Sequence, residues 1–194
     1  MIGCSSAVRY WWVNQNQTFR HELAGGYLWS PKRSANGARN PFYESMREVS
    51  PGDAIFSFVD TRIAAIGIAQ SYCWESPKPV EFGEAGQNWE NVGWKVKVAF
   101  TTLLNKVRPK DHMEILRTLL PSRYSPLQPN GNGIQSIYLT EVSPTFIGVP
   151  QSHQTVHQSG GSRWHLRPHT VLAGQLFSAQ LVYWLTDAAR RART

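Results

Sequence analysis

The chain has 194 residues, of which 41% are hydrophobic and 17% are charged, enough for one domain with a hydrophobic core and an extension. Its two cysteines, Cys4 and Cys73, are too few for a disulfide framework or a four-cysteine zinc site, and free thiols are typical of the cytoplasm. The net charge of +7 favours a polyanionic partner such as nucleic acid. The N-terminus lacks the pattern of a signal peptide, so we expect a cytoplasmic protein.

Short apolar runs separated by turn residues predict an α+β fold, a small mixed β-barrel with flanking short helices. Five strands are predicted, over residues 9–13, 54–59, 62–70, 93–100 and 136–142. Helical turns are predicted over 41–49 and 110–120, the second with Asp111 as its N-cap. Gly67, inside the third strand, predicts a bulge or a close backbone approach. Residues 25–41 lack periodicity and are predicted to form a long functional loop.

The composition changes after residue 145. Residues 8–145 are therefore predicted to form the folded domain, and residues 146–194 a polar, basic extension with a C-terminal helix. The most apolar part of that extension, 171–185, is too short and too polar for a membrane span of about 20 apolar residues. We expect no membrane partner.

The extension also holds four histidines with two i, i+4 spacings, which on a helix could hold zinc: His153, His157, His165 and His169. Gly160, Gly161 and Pro168 disfavour a helix there, and no cysteine lies close. We therefore predict no metal and no cofactor. A metal-dependent endonuclease that uses these histidines stays open as an alternative.

Eight tryptophans are an unusual number for this length, and such rings serve both cores and stacking on planar ligands. Trp11 and Trp12 are adjacent on a predicted strand, so their side chains face opposite ways and at least one belongs to the core. Trp29 lies in a polar segment followed by Pro31 and Lys32, which makes it a candidate for ligand contact.

Several short motifs occur in a characteristic order: YWWVNQ at 10–15, GYLWSPK at 26–32, PGD at 51–53 and IGIA at 66–69. Together they resemble an EVE domain of the PUA-like superfamily, which also includes YTH and SRA modules. The closest similarity is to the EVE half of prokaryotic EVE–HNH modification-dependent (type IV) restriction endonucleases. Leu120 to Gln128 and Ile137 to Leu139 fit that subgroup as well. The resemblance covers about residues 8–145.

This resemblance implies a PUA-like barrel whose pocket accepts a base rotated out of DNA, either 5-methylcytosine or 5-hydroxymethylcytosine. In the related YTH modules, tryptophans grip the methylated base, and Trp29 and Trp89 are the matching residues by order. The predicted base pocket comprises Trp29, Ser30, Asn14, Gln15, Asn16, Trp89 and Trp12. Base extrusion costs a few kcal/mol. Two rings, one on each side of the base, could offset it at roughly 1–3 kcal/mol per stacked base.

Cations in and beyond the predicted loop are candidates for contacts with the nucleic-acid backbone, which supply affinity independent of sequence. The first candidates are Lys32, Arg33 and Arg39, because they follow Trp29. Lys78 and Arg123 are secondary candidates.

The chain departs from the EVE–HNH pattern after residue 145. Residues 146–194 show no ββα framework, and Asp187 is their only acidic residue, so we predict no catalytic residue and no enzyme activity for the chain by itself. A nuclease domain or subunit is then the expected partner, and residues 146–194 are a hypothetical remnant of a truncated or out-of-frame nuclease. The other alternative left open is an RNA-binding YTH/PUA-like reader of a modified base.

Overall fold

The computed structural model describes residues 8–144, and within them seven strands form one curled, mixed β-sheet. The strands are β1 (Tyr10–Asn14), β2 (Tyr27–Pro31), β3 (Ala54–Val59), β4 (Arg62–Ala69), β5 (Trp74–Pro77), β6 (Val92–Val107) and β7 (Leu139–Val142). Their order is β2-β6-β4-β3-β1-β7, and β5 also pairs with β6. The β1–β3 pair is parallel and the other pairs are antiparallel.

Short helices flank the sheet. They are α1 (Phe19–Gly25), α2 (Pro41–Glu44) and α3 (Met113–Leu119), with 3-10 turns at Ser45–Glu48, Val80–Phe82 and Pro109–His112. None of the helices in the described part of the chain is long and apolar enough to cross a bilayer. The predicted α+β class, with a mixed sheet and short helices, is confirmed.

Both faces of β1 are buried, which explains its two adjacent tryptophans. Trp11 belongs to the main core cluster, and its indole Nε1 donates to Asp53 Oδ2 at 2.9 Å. Trp12 is fully buried on the opposite face, where its ring lies 5.1 Å from that of Phe58. Asp53 also accepts from the backbone N of Ser50 at 3.0 Å, so the turn before β3 is tied directly to the core.

All five predicted strands are present, with shifted ends, and 54–70 is the predicted hairpin. Its turn residues Asp60 and Thr61 have φ values of 48° and 63°, the left-handed conformation of a tight hairpin turn. At Gly67 the close neighbours are side chains and not another backbone, since a Cβ there would lie 2.4 Å from Val98 Cγ1.

Three predictions about local structure were wrong or incomplete. Residues 27–31 are not part of a loop, because they form β2, which is buried along its whole length and pairs with β6. Asp111 is not an N-cap, because it lies within the 3-10 turn that precedes α3. The helix α1 and the short edge strand β5 were not predicted.

The extension 146–194, with its histidines and predicted helix, lies outside the described residues.

Candidate functional site

A cavity of about 290 Å³, partly open to solvent, lies where β1 and β2 end. That volume is close to the lower end of the range for small-ligand pockets, roughly 300–1,000 Å³. Of the predicted pocket residues, six line it: Asn14, Gln15, Asn16, Trp29, Ser30 and Trp89. The other lining residues are Gln17, Thr18, Pro31, Tyr43, Gln135, Ser136 and Tyr138. Trp12 is not among them.

One wall of the cavity is aromatic. The rings of Trp29 and Trp89 are nearly parallel, at 28°, with centroids 6.1 Å apart, and Phe82 packs edge-on against both. A base between two rings would hold them about 7 Å apart, twice the roughly 3.5 Å between contacting carbon atoms. The two indoles therefore lie too close together for a base to fit between them, and the expected arrangement with one ring on each side of a base is not present. They form one continuous wall.

The two indoles differ in burial. Trp29 is only 1% exposed, and its Nε1 donates to the Ser76 carbonyl at 3.3 Å, so its main role here is packing. Trp89 is half-buried, in the loop before β6. Trp89 is therefore the indole of this wall that a ligand reaches more readily.

Glycines allow both rings to sit where they do. A Cβ on Gly93 would lie 2.5 Å from Trp29 Cζ2 and 2.2 Å from the Ser30 carbonyl oxygen. A Cβ on Gly86 would lie 2.1 Å from the Trp89 ring. The position of this wall therefore depends on backbone sites that exclude a side chain.

Behind the cavity lies a buried carboxylate that sequence reasoning missed. Glu22, on α1, is 0% exposed and accepts from Gln15 Nε2 at 2.6 Å. It also accepts from the Thr18 hydroxyl, the Trp29 backbone N and the Tyr138 hydroxyl, each at 2.7 Å. Burial raises the pKa of Glu22, an effect that these four donors oppose. One carboxylate thus positions four lining residues from three segments of the chain.

Two polar atoms in the lining have no partner. Gln15 Oε1 and Ser30 Oγ are buried, in side chains 1% and 0% exposed, and neither makes a hydrogen bond within the described part of the chain. Leaving such a group unpaired costs about 1–3 kcal/mol. Two residues of the cavity lining therefore each carry a buried polar atom without a partner, one an acceptor and the other a hydroxyl that can donate or accept.

The predicted asparagines differ in what they do. The amide of Asn14 accepts from Trp12 Nε1 at 2.9 Å and donates to the carbonyls of Ile134 and Ile137 at 3.1 and 2.8 Å. It therefore fixes the segment that carries Gln135 and Ser136 to the cavity, and Trp12 supports it from behind. Asn16 is exposed, and its Oδ1 accepts from the backbone N of Asp60 at 3.2 Å.

The predicted backbone-binding cations fall into two groups. Lys32 pairs with Glu75 at 2.6 Å, and Lys78 donates to the Gly86 carbonyl at 2.8 Å, so both hold the loops around the cavity. The other three are exposed at the surface: Arg33, Arg39 and Arg123. Arg39 is 75% exposed and forms an ion pair with Glu44 at 3.2 Å, while Arg123 lies over the ring of Tyr124.

No candidate metal site lies within residues 8–144. They contain no cluster of three or more His, Cys, Asp or Glu side chains that could hold a metal ion. The histidines considered for zinc lie outside them.

Comparison with known proteins gives low similarity. No family model and no curated protein matches the sequence. A hypothetical protein from Leishmania major matches with 11% identity and a TM-score of 0.48, over 72% of this chain and 89% of that one. The YTH domain of the Zygosaccharomyces rouxii MRB1 protein, in complex with N6-methyladenosine RNA, matches with 14% identity and a TM-score of 0.48, over 75% and 86%. The N-terminal domain of Staphylothermus marinus McrB matches with 13% identity and a TM-score of 0.42, over 72% and 91%. These values assign the chain to no family.

Proposed function

We propose that the cavity binds a modified cytosine, 5-methyl- or 5-hydroxymethylcytosine, rotated out of DNA, within a PUA-like domain of the EVE type. The observation that carries the proposal is the pair of unpartnered buried atoms, Gln15 Oε1 and Ser30 Oγ, beside an aromatic wall. The aromatic wall can stack on the face of a base, and the two polar atoms can form hydrogen bonds with the groups on its edge. The module would serve a modification-dependent restriction system, with cleavage supplied by a nuclease domain or subunit.

The edge chemistry favours a base with an amino group. Cytosine presents its N4 amino group as a donor, which suits Gln15 Oε1, and its ring nitrogen can accept from the Ser30 hydroxyl. Adenine offers a similar donor, so the choice of cytosine rests on the resemblance to EVE–HNH proteins. Burial of the 5-methyl group adds about 0.8 kcal/mol, roughly a fourfold preference over unmodified cytosine.

The decisive experiment measures binding of the full chain to matched oligonucleotides with one variable base: cytosine, 5-methylcytosine, 5-hydroxymethylcytosine or N6-methyladenine. We expect the tightest binding to a modified cytosine in DNA, and a loss of that preference in Gln15→Ala. Tighter binding to matched RNA would favour the RNA-reader alternative. Cleavage that a chelator abolishes would favour the nuclease. Equal affinity for every base, unchanged in Gln15→Ala, would refute the pocket proposal.

Arg39→Ala should weaken binding to modified and unmodified strands by the same factor, because a phosphate contact carries no base information. The slope of log K against log salt should decrease in magnitude by about 0.7–0.9 for one lost phosphate contact. Titrations at several salt concentrations measure this slope. Asn36→Ala, a neutral change in the same exposed loop, is the control and should leave the slope unchanged. A slope identical in Arg39→Ala and the wild type would remove Arg39 from the interface.

A further inference from the structure

The orientation of one amide decides which bases the cavity can accept. A glutamine side chain presents either an oxygen acceptor or an NH2 donor, depending on how its terminal group is turned. Gln15, a residue of the cavity lining, directs Nε2 to Glu22 Oε2, which leaves its buried Oε1 without a partner. Because Glu22 accepts four hydrogen bonds and offers its oxygens as acceptors, it holds Gln15 in this orientation.

The carboxylate is itself fixed from the opposite side. Glu22 Oε1 accepts from the backbone N–H of Trp29, a donor that cannot turn, and from the Tyr138 hydroxyl. Glu22 Oε2 accepts from Gln15 and from the Thr18 hydroxyl. Two donors to each oxygen match the acceptor capacity of a carboxylate. Glu22 is fully buried and is not among the cavity-lining residues.

We propose that Glu22 is a positioning residue that makes the cavity select amino bases over oxo bases, by fixing the Gln15 amide with its oxygen towards the ligand. This inference rests on the proposed function, because it assigns a specificity to the same cavity. It names 5-methylcytosine and thymine as the informative pair of ligands. Both carry the 5-methyl group, and they differ in having an amino or an oxo group at position 4.

Glu22→Gln tests the inference with an uncharged side chain of the same shape. The Trp29 N–H requires an acceptor, so the new amide oxygen stays on that side and the new NH2 group faces Gln15 and Thr18. Gln15 must then turn its oxygen to the new NH2 group and its own NH2 group to the cavity. The hydroxyl of Thr18 can turn to accept. The cavity would then present a donor where it had presented an acceptor.

Single-stranded oligonucleotides are the suitable probes, because they remove differences in the cost of base extrusion. We expect the wild type to bind a strand with 5-methylcytosine roughly 10-fold to 100-fold more tightly than one with thymine, as expected when one buried polar group is left unpaired. In Glu22→Gln this ratio should fall below one. The Ser30 hydroxyl can pair with either ring nitrogen, so it does not oppose the inversion.

Asp53→Asn is the matched control. It alters another buried carboxylate, which accepts from Trp11 and does not line the cavity, so it leaves the orientation of Gln15 unchanged and 5-methylcytosine should still be preferred. Equal weakening of both ligands by Glu22→Gln, with an unchanged melting temperature, would overturn the inference and leave the proposed function standing. A wild type that binds neither strand would refute the proposed function itself.

Nuclear magnetic resonance tests the same orientation in the unaltered protein and does not depend on whether the variant folds. The side-chain NH2 protons of Gln15 should be protected from exchange and should show contacts to Thr18, with or without the 5-methylcytosine strand bound. Rapid exchange of these protons in the free protein would overturn the inference, because the NH2 group would then face the open cavity.

Discussion

Trp29→Ala is expected to lower the free energy of unfolding by about 3–5 kcal/mol, the usual loss when a buried large aromatic side chain is truncated. The ring is 1% exposed and packs against Phe82 and Trp89, at centroid distances of 5.7 and 6.1 Å. A small domain has only about 5–15 kcal/mol of stability in total. Denaturant titration of the purified variant measures the loss.

Because of this loss of stability, weaker DNA binding by Trp29→Ala would not by itself show that the ring contacts a base. A variant near its unfolding threshold loses affinity for every ligand, so Trp29→Ala would weaken modified and unmodified strands alike. Trp29→Phe keeps most of the packing and is the control, with an expected loss below about 2 kcal/mol. If Trp29→Ala retained wild-type stability within 1 kcal/mol, this ring would not be a packing residue.

Five of the seven strands could be predicted from the sequence because each of the five carries an alternating or continuous apolar run of ordinary length. The strand at 27–31 could not be predicted in this way, because Ser30 and Pro31 are typical of loops and the segment shows no alternation of apolar and polar residues. Its burial comes from pairing with β6, more than 60 residues later in the chain, and from α1. The local sequence pattern carries no information about the contact with β6 or the contact with α1.

The composition of the pocket could be predicted in part because several of its polar residues are contiguous in sequence, in the segment 14–18 at the end of β1. The role of Glu22 could not be predicted. Its four donors come from the segment after β1, from β2 and from the segment before β7, and only the folded chain brings them together. The contact between Trp29 and Trp89 likewise depends on how the loop before β6 folds back.

Trp89→Ala should reduce affinity for a strand with a modified cytosine by roughly 5-fold to 100-fold, because stacking contributes about 1–3 kcal/mol per base. The fold should survive, since the ring is half-buried and lies in a loop. Binding titrations, with melting temperature as the check on folding, measure both effects. An unchanged affinity would show that the accessible face of Trp89 takes no part in binding.

Alanine substitutions at two glycines in the same loop distinguish the effect of displacing the Trp89 ring from the effect of backbone strain. Gly86 and Gly83 both have positive φ, at 67° and 54°, so alanine costs backbone strain at either position. Only at Gly86 would the new Cβ meet the Trp89 ring, at 2.1 Å, whereas at Gly83 nothing lies within 4 Å. Gly86→Ala should therefore reproduce the affinity loss of Trp89→Ala, while Gly83→Ala should bind as the wild type does. Equal losses in both variants would assign the effect to the loop backbone, and the indole would no longer be needed to explain base binding.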